Sequence, residues 1–220
     1  MLRPVSIAPI WSGKTAVVIG SGPSLSLKQI AMIWQAKMNM HIGVIAVNDN
    51  YQIAPWADWV YGCDYKFWQW HHQSVLAHFD GRKCTTDAKA AELWPVLDYL
   101  VGEDRPGWSC DYSRLHYGKN SGYQAVNLAF LLGAVKIILV GFDHCFPGNC
   151  AHWFGDHPDK VRSWYENWTE CWQSVVPQAK DHGIEIINST PESALKVFPA
   201  RPLISALNGT GWNENSPARR

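Results

Sequence analysis

Five short apolar runs constrain this chain most. They are 15–20, 42–48 ("IGVIAVN"), 58–63 ("DWVYGC"), 135–141 ("VKIILVG") and 184–188 ("IEIIN"). Four of them are rich in β-branched residues, the third is aromatic around Val60, and all are apolar at consecutive positions, so both faces of the strand must be covered. Helical stretches separate them, at 26–36, 65–78, 88–100, 121–132 and 160–180. Strands that alternate with helices and need cover on both sides predict an α/β, Rossmann-like open sheet, mostly parallel, with helices on both faces. With 220 residues, 47% of them hydrophobic, one sizeable domain is expected. Its span is read as 15–200, with an N-terminal arm at 1–14 and a polar C-terminal tail at 201–220.

Lys+Arg and Asp+Glu balance at 19 each, which supplies no general attraction to nucleic acid or to an anionic membrane. No apolar run reaches the roughly 18–20 residues a membrane span needs. No secretory leader is evident, and none of the six cysteines stands in a CxxC pair. The expectation is a cytoplasmic protein with reduced thiols.

In an open parallel sheet, ligands bind beyond the carboxyl ends of the strands. The first such end reads "IGSGPSLSL". Gly20, Ser21, Gly22, Pro23 and Ser24 form a small-residue turn into a helix, the arrangement that presents backbone N–H groups to an anion. It is not the dinucleotide fingerprint, since Leu25 stands where a third glycine belongs. "SGKT" at 12–15 imitates the end of a phosphate-binding P-loop, but Ala8 replaces its first glycine and a strand follows, so it is rejected. Asn48 and Asp64 fall at later strand ends. Asn120, Ser121 and Gly122 open a second helix toward the same rim, and Asp143 follows the fourth apolar run at once. The two helix openings together would suit a diphosphate. Beyond them, "HCFPGNCAHWFGDHPDK" crowds His144, His152, Asp156 and His157 into one loop. His157 or His152, held by Asp156, is the expected general base; a zinc site there matches no strong spacing. Thirteen tryptophans are unusual. Trp164, Trp168 and Trp172 form a helical stripe, expected to be core or a homodimer contact.

"IGSGPSLSL", "NSGYQAVNLAFLLGAVKIILVGFDH" and "INSTPESAL" resemble the MptE-like proteins, a family of archaeal 6-hydroxymethylpterin diphosphokinases and of phage and bacterial members. The same stretches, with "HWFGDH", resemble the single-domain, Rossmann-like bacterial sialyltransferases. The resemblance implies a nucleotide or nucleotide-sugar donor with its phosphates at the glycine loop and at Ser121–Gly122. It implies a histidine that deprotonates a small-molecule or glycan acceptor, with His157 as the nearest match and His152 as the other. The function expected on this basis is a nucleotide-dependent group transferase, foremost a glycosyltransferase. The alternative is a diphosphokinase acting on a pterin-like alcohol, with Mg²⁺ held by Asp64, Asp143 and Asp156. A non-catalytic nucleotide-binding phage protein, resident in the host cytoplasm, is the third.

Overall fold

The computed structural model describes residues 2–145, 152–155 and 168–208. The strands are β1 (Thr15–Ile19), β2 (Gly43–Val47), β3 (Trp59–Tyr61), β4 (Arg82–Thr85), β5 (Asp98–Tyr99), β6 (Val101–Glu103), β7 (Arg114–His116), β8 (Lys136–Val140) and β9 (Glu185–Asn188). Seven of them form one sheet in the order β5-β4-β3-β2-β1-β8-β9, and every pair is parallel. β6 and β7 make a separate parallel pair. The helices are α1 (Leu27–Met40), α2 (Tyr65–His78), α3 (Ala88–Leu93), α4 (Ser121–Leu131), α5 (Trp168–Gln173), α6 (Val175–Asp181) and α7 (Leu203–Asn208), with a 3₁₀ turn at Asn48–Gln52. This is a Rossmann-like α/β fold.

Side chains alternate across a strand, so each strand feeds two cores. Val17, Ile19, Val44, Ala46, Ile138 and Val140 join one, where α1, α2 and α7 pack. Ala16, Val18, Ile45, Val47, Ile137 and Leu139 join the other, beneath α4 and α6. Because both faces are apolar, burial alone does not fix strand register. A polar pin does so between β2 and β3: Asp58 accepts the Val44 N–H at 2.8 Å and pairs with Lys37 of α1. α1 itself opens on a reciprocal cap, in which Ser26 Oγ accepts from the Gln29 amide and Gln29 Oε1 accepts from the Ser26 amide.

Five expected strands are present as β1, β2, β3, β8 and β9. The helix read over 88–100 stops at Leu93, because Pro95 drives its predecessor Trp94 out of helical geometry. The irregular stretch 102–120 carries β7 and most of β6. Of the tail at 201–220, residues 203–208 form α7 and bury Leu203, Ala206 and Leu207 in the core. The arm is packed as well: Ile7 and Trp11 are buried, and the Trp11 ring lies where a Cβ on Gly43 would stand, 2.4 Å away. The helix read over 160–180 is described from Trp168 on and is broken at Ser174 into α5 and α6. Its tryptophan stripe divides: Trp172 is core, Trp168 faces the cleft described next, and Trp164 lies outside the described residues. Five free cysteines occur among the described residues, and no described helix is long and apolar enough to cross a membrane.

Candidate functional site

From β1 the chain steps to β2 on one side, while β8 occupies the other. That reversal makes the carboxyl ends of β1 and β8 the switch point of the sheet, the usual crevice for ligands in this architecture. A cleft of about 770 Å³ opens there. Gly20, Ser21 and Gly22 line it from β1, Asn48 from β2, and Asp64 from β3. Asn120, Ser121 and Gly122 reach it from the start of α4, Asp143 from β8, and His152 from the loop beyond. Ten of the proposed site residues therefore share one cavity. Ser24 does not line it, nor does Pro23; His157 and Asp156 lie outside the described residues. Lys14 of the false P-loop precedes β1 and so sits at the opposite, amino end of the sheet.

Most amides of the glycine loop are bonded inward; the Ser21 amide, in the cleft wall, has no acceptor among the described residues. The Gly20 amide donates to Val140 O at 2.7 Å, Gly22 to Gly141 O at 2.8 Å, and Leu25 to Gly22 O at 3.1 Å. The Ser24 amide and hydroxyl both donate to the Asp143 carboxylate, at 3.2 and 3.0 Å. A Cβ on Gly22 would stand 1.8 Å from Asp143 Oδ2 and 2.7 Å from Gly141 O. The space expected for a ligand phosphate beside Ser24 is thus occupied by the protein's own carboxylate. The glycines let the β1 and β8 loops touch. Asp143 is buried, which raises its pKa against the opposing hydrogen bonds from Ser24.

The start of α4 is arranged differently. Asn120 caps it, with its side chain accepting from the Tyr123 amide at 2.8 Å. The Ser121 and Gly122 amides have no acceptor among the described residues, and both residues face the cleft. Free first-turn amides and the positive helix end favour an anion. Lys119, in left-handed backbone geometry with φ 62°, adds a positive charge at the same place. Ser121 Oγ lies 2.9 Å from Cys63 Sγ and 3.5 Å from Asn48 Nδ2. Asn48 also holds left-handed geometry, at φ 51°, and its Oδ1 is buried without a hydrogen-bond partner. Exchanging the amide's oxygen and nitrogen would leave an unpartnered donor there instead. Burial pushes the Cys63 thiol far up, so it stays protonated and is a poor nucleophile.

The third wall is the segment carrying His152. Its neighbour Trp153 donates through Nε1 to Asn50 Oδ1 at 2.8 Å and through its amide to Ser21 O at 3.1 Å. Fully buried Asn50 in turn donates to Ile19 O at 2.8 Å and Val47 O at 2.9 Å, so one side chain ties two strand ends to this segment. His144, pressed among Phe142, Trp168 and Trp172, has its imidazole pushed down to about 4 by burial and is neutral near pH 7.

Sequence reasoning missed Thr86, Asp87, Tyr117, Lys119 and Gln124, all in the cleft wall. Thr86 and Asp87 follow β4, whose "RKCT" lacks an apolar run. Lys119 directly precedes the helix cap and was the most accessible signal. Among the described residues no three His, Cys, Asp or Glu side chains come together to hold a metal. Asp143 is engaged by Ser24, and Asp87 caps α3 by accepting the Ala90 amide at 2.8 Å. The pairing of Asp143 with Asp156 on Mg²⁺ extends outside the described residues.

No protein-family profile and no curated protein matches the chain. A solved short chain dehydrogenase from Mycobacterium smegmatis is similar at 9% identity with a TM-score of 0.27, over 95% of this chain and 89% of that one. That score carries no argument; the fold class stands on the strand pairing itself.

Proposed function

We propose that the cleft binds a nucleotide-activated donor and that the protein transfers a group, foremost a sugar, from it to a hydroxyl. The observation that carries this is the open first turn of α4 beside Lys119, at the switch point and next to the unsatisfied Asn48. The donor phosphate sits on the Ser121 and Gly122 amides, and Asn48 takes a hydroxyl of the donor. His152 is the general base on the described rim. It removes the acceptor proton as the new bond to the sugar forms and the sugar–phosphate bond breaks. The amides and Lys119 stabilise the charge that grows on the departing phosphate. Asp143 belongs to the scaffold in this reading, clamping the glycine loop rather than touching phosphate.

Diphosphate transfer from ATP to an alcohol is the second reading, favoured by the carboxylates Asp64, Asp87 and Asp143 along the cleft. In this reading Mg²⁺ bridges the nucleotide phosphates and these carboxylates.

A thermal-shift panel of CMP, UMP, GDP, ATP and their sugar conjugates, with and without Mg²⁺, tests both. A ligand at about 100 times its Kd should stabilise the fold by about 2.7 kcal/mol. Stabilisation by a sugar nucleotide, with turnover lost in His152→Ala while binding persists, supports glycosyl transfer. Mg²⁺-dependent ATP consumption lost in Asp64→Asn supports the diphosphokinase. Tight binding without turnover reduces the protein to a nucleotide-binding module, and no stabilisation by any nucleotide overturns the proposal.

A further inference from the structure

A second cleft, of about 630 Å³, lies on the other side of Ser24 and shares no lining residue with the first. The start of α1, the turn after β9 and the start of α7 enclose it. Two features there break local rules without compensation inside the fold. Ser189 lines the cleft and is 4% exposed, yet its hydroxyl has no hydrogen-bond partner. Its neighbours are satisfied: Thr190 Oγ1 accepts from the Phe142 amide at 2.8 Å, and Ser193 Oγ donates to Phe142 O at 2.5 Å. Native folds keep few buried hydroxyls in that state. Lys28 is the second feature. It sits in the first turn of α1, where a cation opposes the helix dipole, and it forms no ion pair among the described residues. Its charge and the helix end make the α1 side of the cleft positive; Arg201, paired with Glu185 at 2.9 Å, and the carboxylate residue Glu192 line the cleft as well. Met32, one turn on from Lys28 along α1, and Pro202 and Leu203 at the start of α7 supply apolar lining.

We propose that this cleft is a second ligand site, for a small anionic amphiphile: a carboxylate or phosphate monoester carried on an apolar body. Lys28 and the amino end of α1 hold the anion. Met32 and Leu203 cover the apolar body, and Ser189 Oγ bonds a polar atom of the ligand. The site is independent of the reading given for the first cleft, since neither Ser189 nor Met32 borders that cavity.

The test is a titration of protein labelled with ¹³C in the methionine methyl groups, using phenyl phosphate, phenylacetate and benzyl alcohol. The Met32 methyl should shift saturably with one or both anions and not with the neutral alcohol; which anion binds more tightly separates phosphate from carboxylate recognition. Lys28→Glu, at an exposed position, should weaken that binding about tenfold by reversing the local charge. Ser189→Ala should weaken it about threefold with the melting temperature unchanged or raised, because a buried unsatisfied hydroxyl is removed. Absence of a saturable Met32 shift overturns the proposal. So does an equal response of Met38, on the exposed side of α1, or unaltered affinity in Lys28→Glu. Ser189→Ala protein that is more stable and binds as well shows the hydroxyl to be only a packing defect, and overturns it too.

Discussion

Two helix openings meet at the rim of this sheet, and they use their backbone donors in opposite ways. Before α1, a loop of glycines and serines bonds mostly inward, and a buried carboxylate from the β8 loop takes the Ser24 amide and hydroxyl. Before α4, the ordinary sequence "KNSG" leaves two amides open beside a lysine. The comparison teaches that a glycine-rich loop marks close approach of backbone, while the object approached is a separate question. Here Asp143 is that object. In the switch-point cleft an anion seat requires free donors and a favourable charge, and there the α4 end combines two open amides with Lys119.

The sharpest way to break this contrast is at Gly22. Gly22→Ala forces a methyl group into Asp143 and the Gly141 carbonyl, and should destabilise the fold by about 2–4 kcal/mol in urea melts. Adding Asp143→Ala should recover part of that loss, because one of the two clashes disappears and the sites are coupled. A Gly22→Ala protein of unchanged stability would mean that the loop is open after all.

Next in size is the acid limb of stability. The His144 imidazole is pushed down from its usual 6.5 to about 4, so the unfolded chain binds a proton that the folded one refuses. Stability should therefore be lost as pH falls from about 6.5 toward 4, by on the order of 3 kcal/mol for this group. His144→Asn, which tolerates the φ of 53° at this position, should flatten that part of the profile in melts across pH.

Smaller effects separate the two helix ends directly. Lys119→Ala should weaken binding of a nucleoside phosphate about fivefold to tenfold with little change in melting temperature, since the side chain is exposed. Ser24→Ala should change that affinity less than about twofold. Isothermal titration of both variants with the same ligand decides the matter, and the reverse ranking would return the phosphate to the glycine loop. The least change is expected from Asp143→Asn. Burial raises the carboxyl pKa, so the folded state binds its proton more readily than the unfolded one. Stability tied to that proton is present at low pH and falls as pH rises from the ordinary carboxylate range through the raised value. The amide variant should thus be slightly more stable near pH 7, and the gain should fade in acid.

The fold was largely legible because its strands are buried on both sides. Val17, Val18, Ile137 and Ile138 had no other use. β4 was not legible, because its opening residues do surface work: the Arg82 guanidinium lies 4.3 Å over the Trp59 ring and pairs with Asp98 at 2.8 Å. α7 is only six residues long, too short for a periodic signal. In the site, the strand-end rule brought Gly20, Asn48, Asp64 and Asp143 to one rim. It could not say that Asp143 would bond to Ser24, since that contact joins loops 119 positions apart. Nor could it find Asn50, whose importance comes from four partners on three segments.

The all-parallel strand order has a consequence for synthesis on the ribosome. β1 is made first among the strands, yet it lies between β2 and β8, and β8 appears only after more than half the chain. One edge of the central strand therefore stays unpaired while the intervening segments emerge. Such late closure slows folding and leaves a template for wrong partners. Nascent chains stalled before Lys136 should engage chaperones and resist protease poorly, whereas chains stalled well beyond Val140 should begin to be protected.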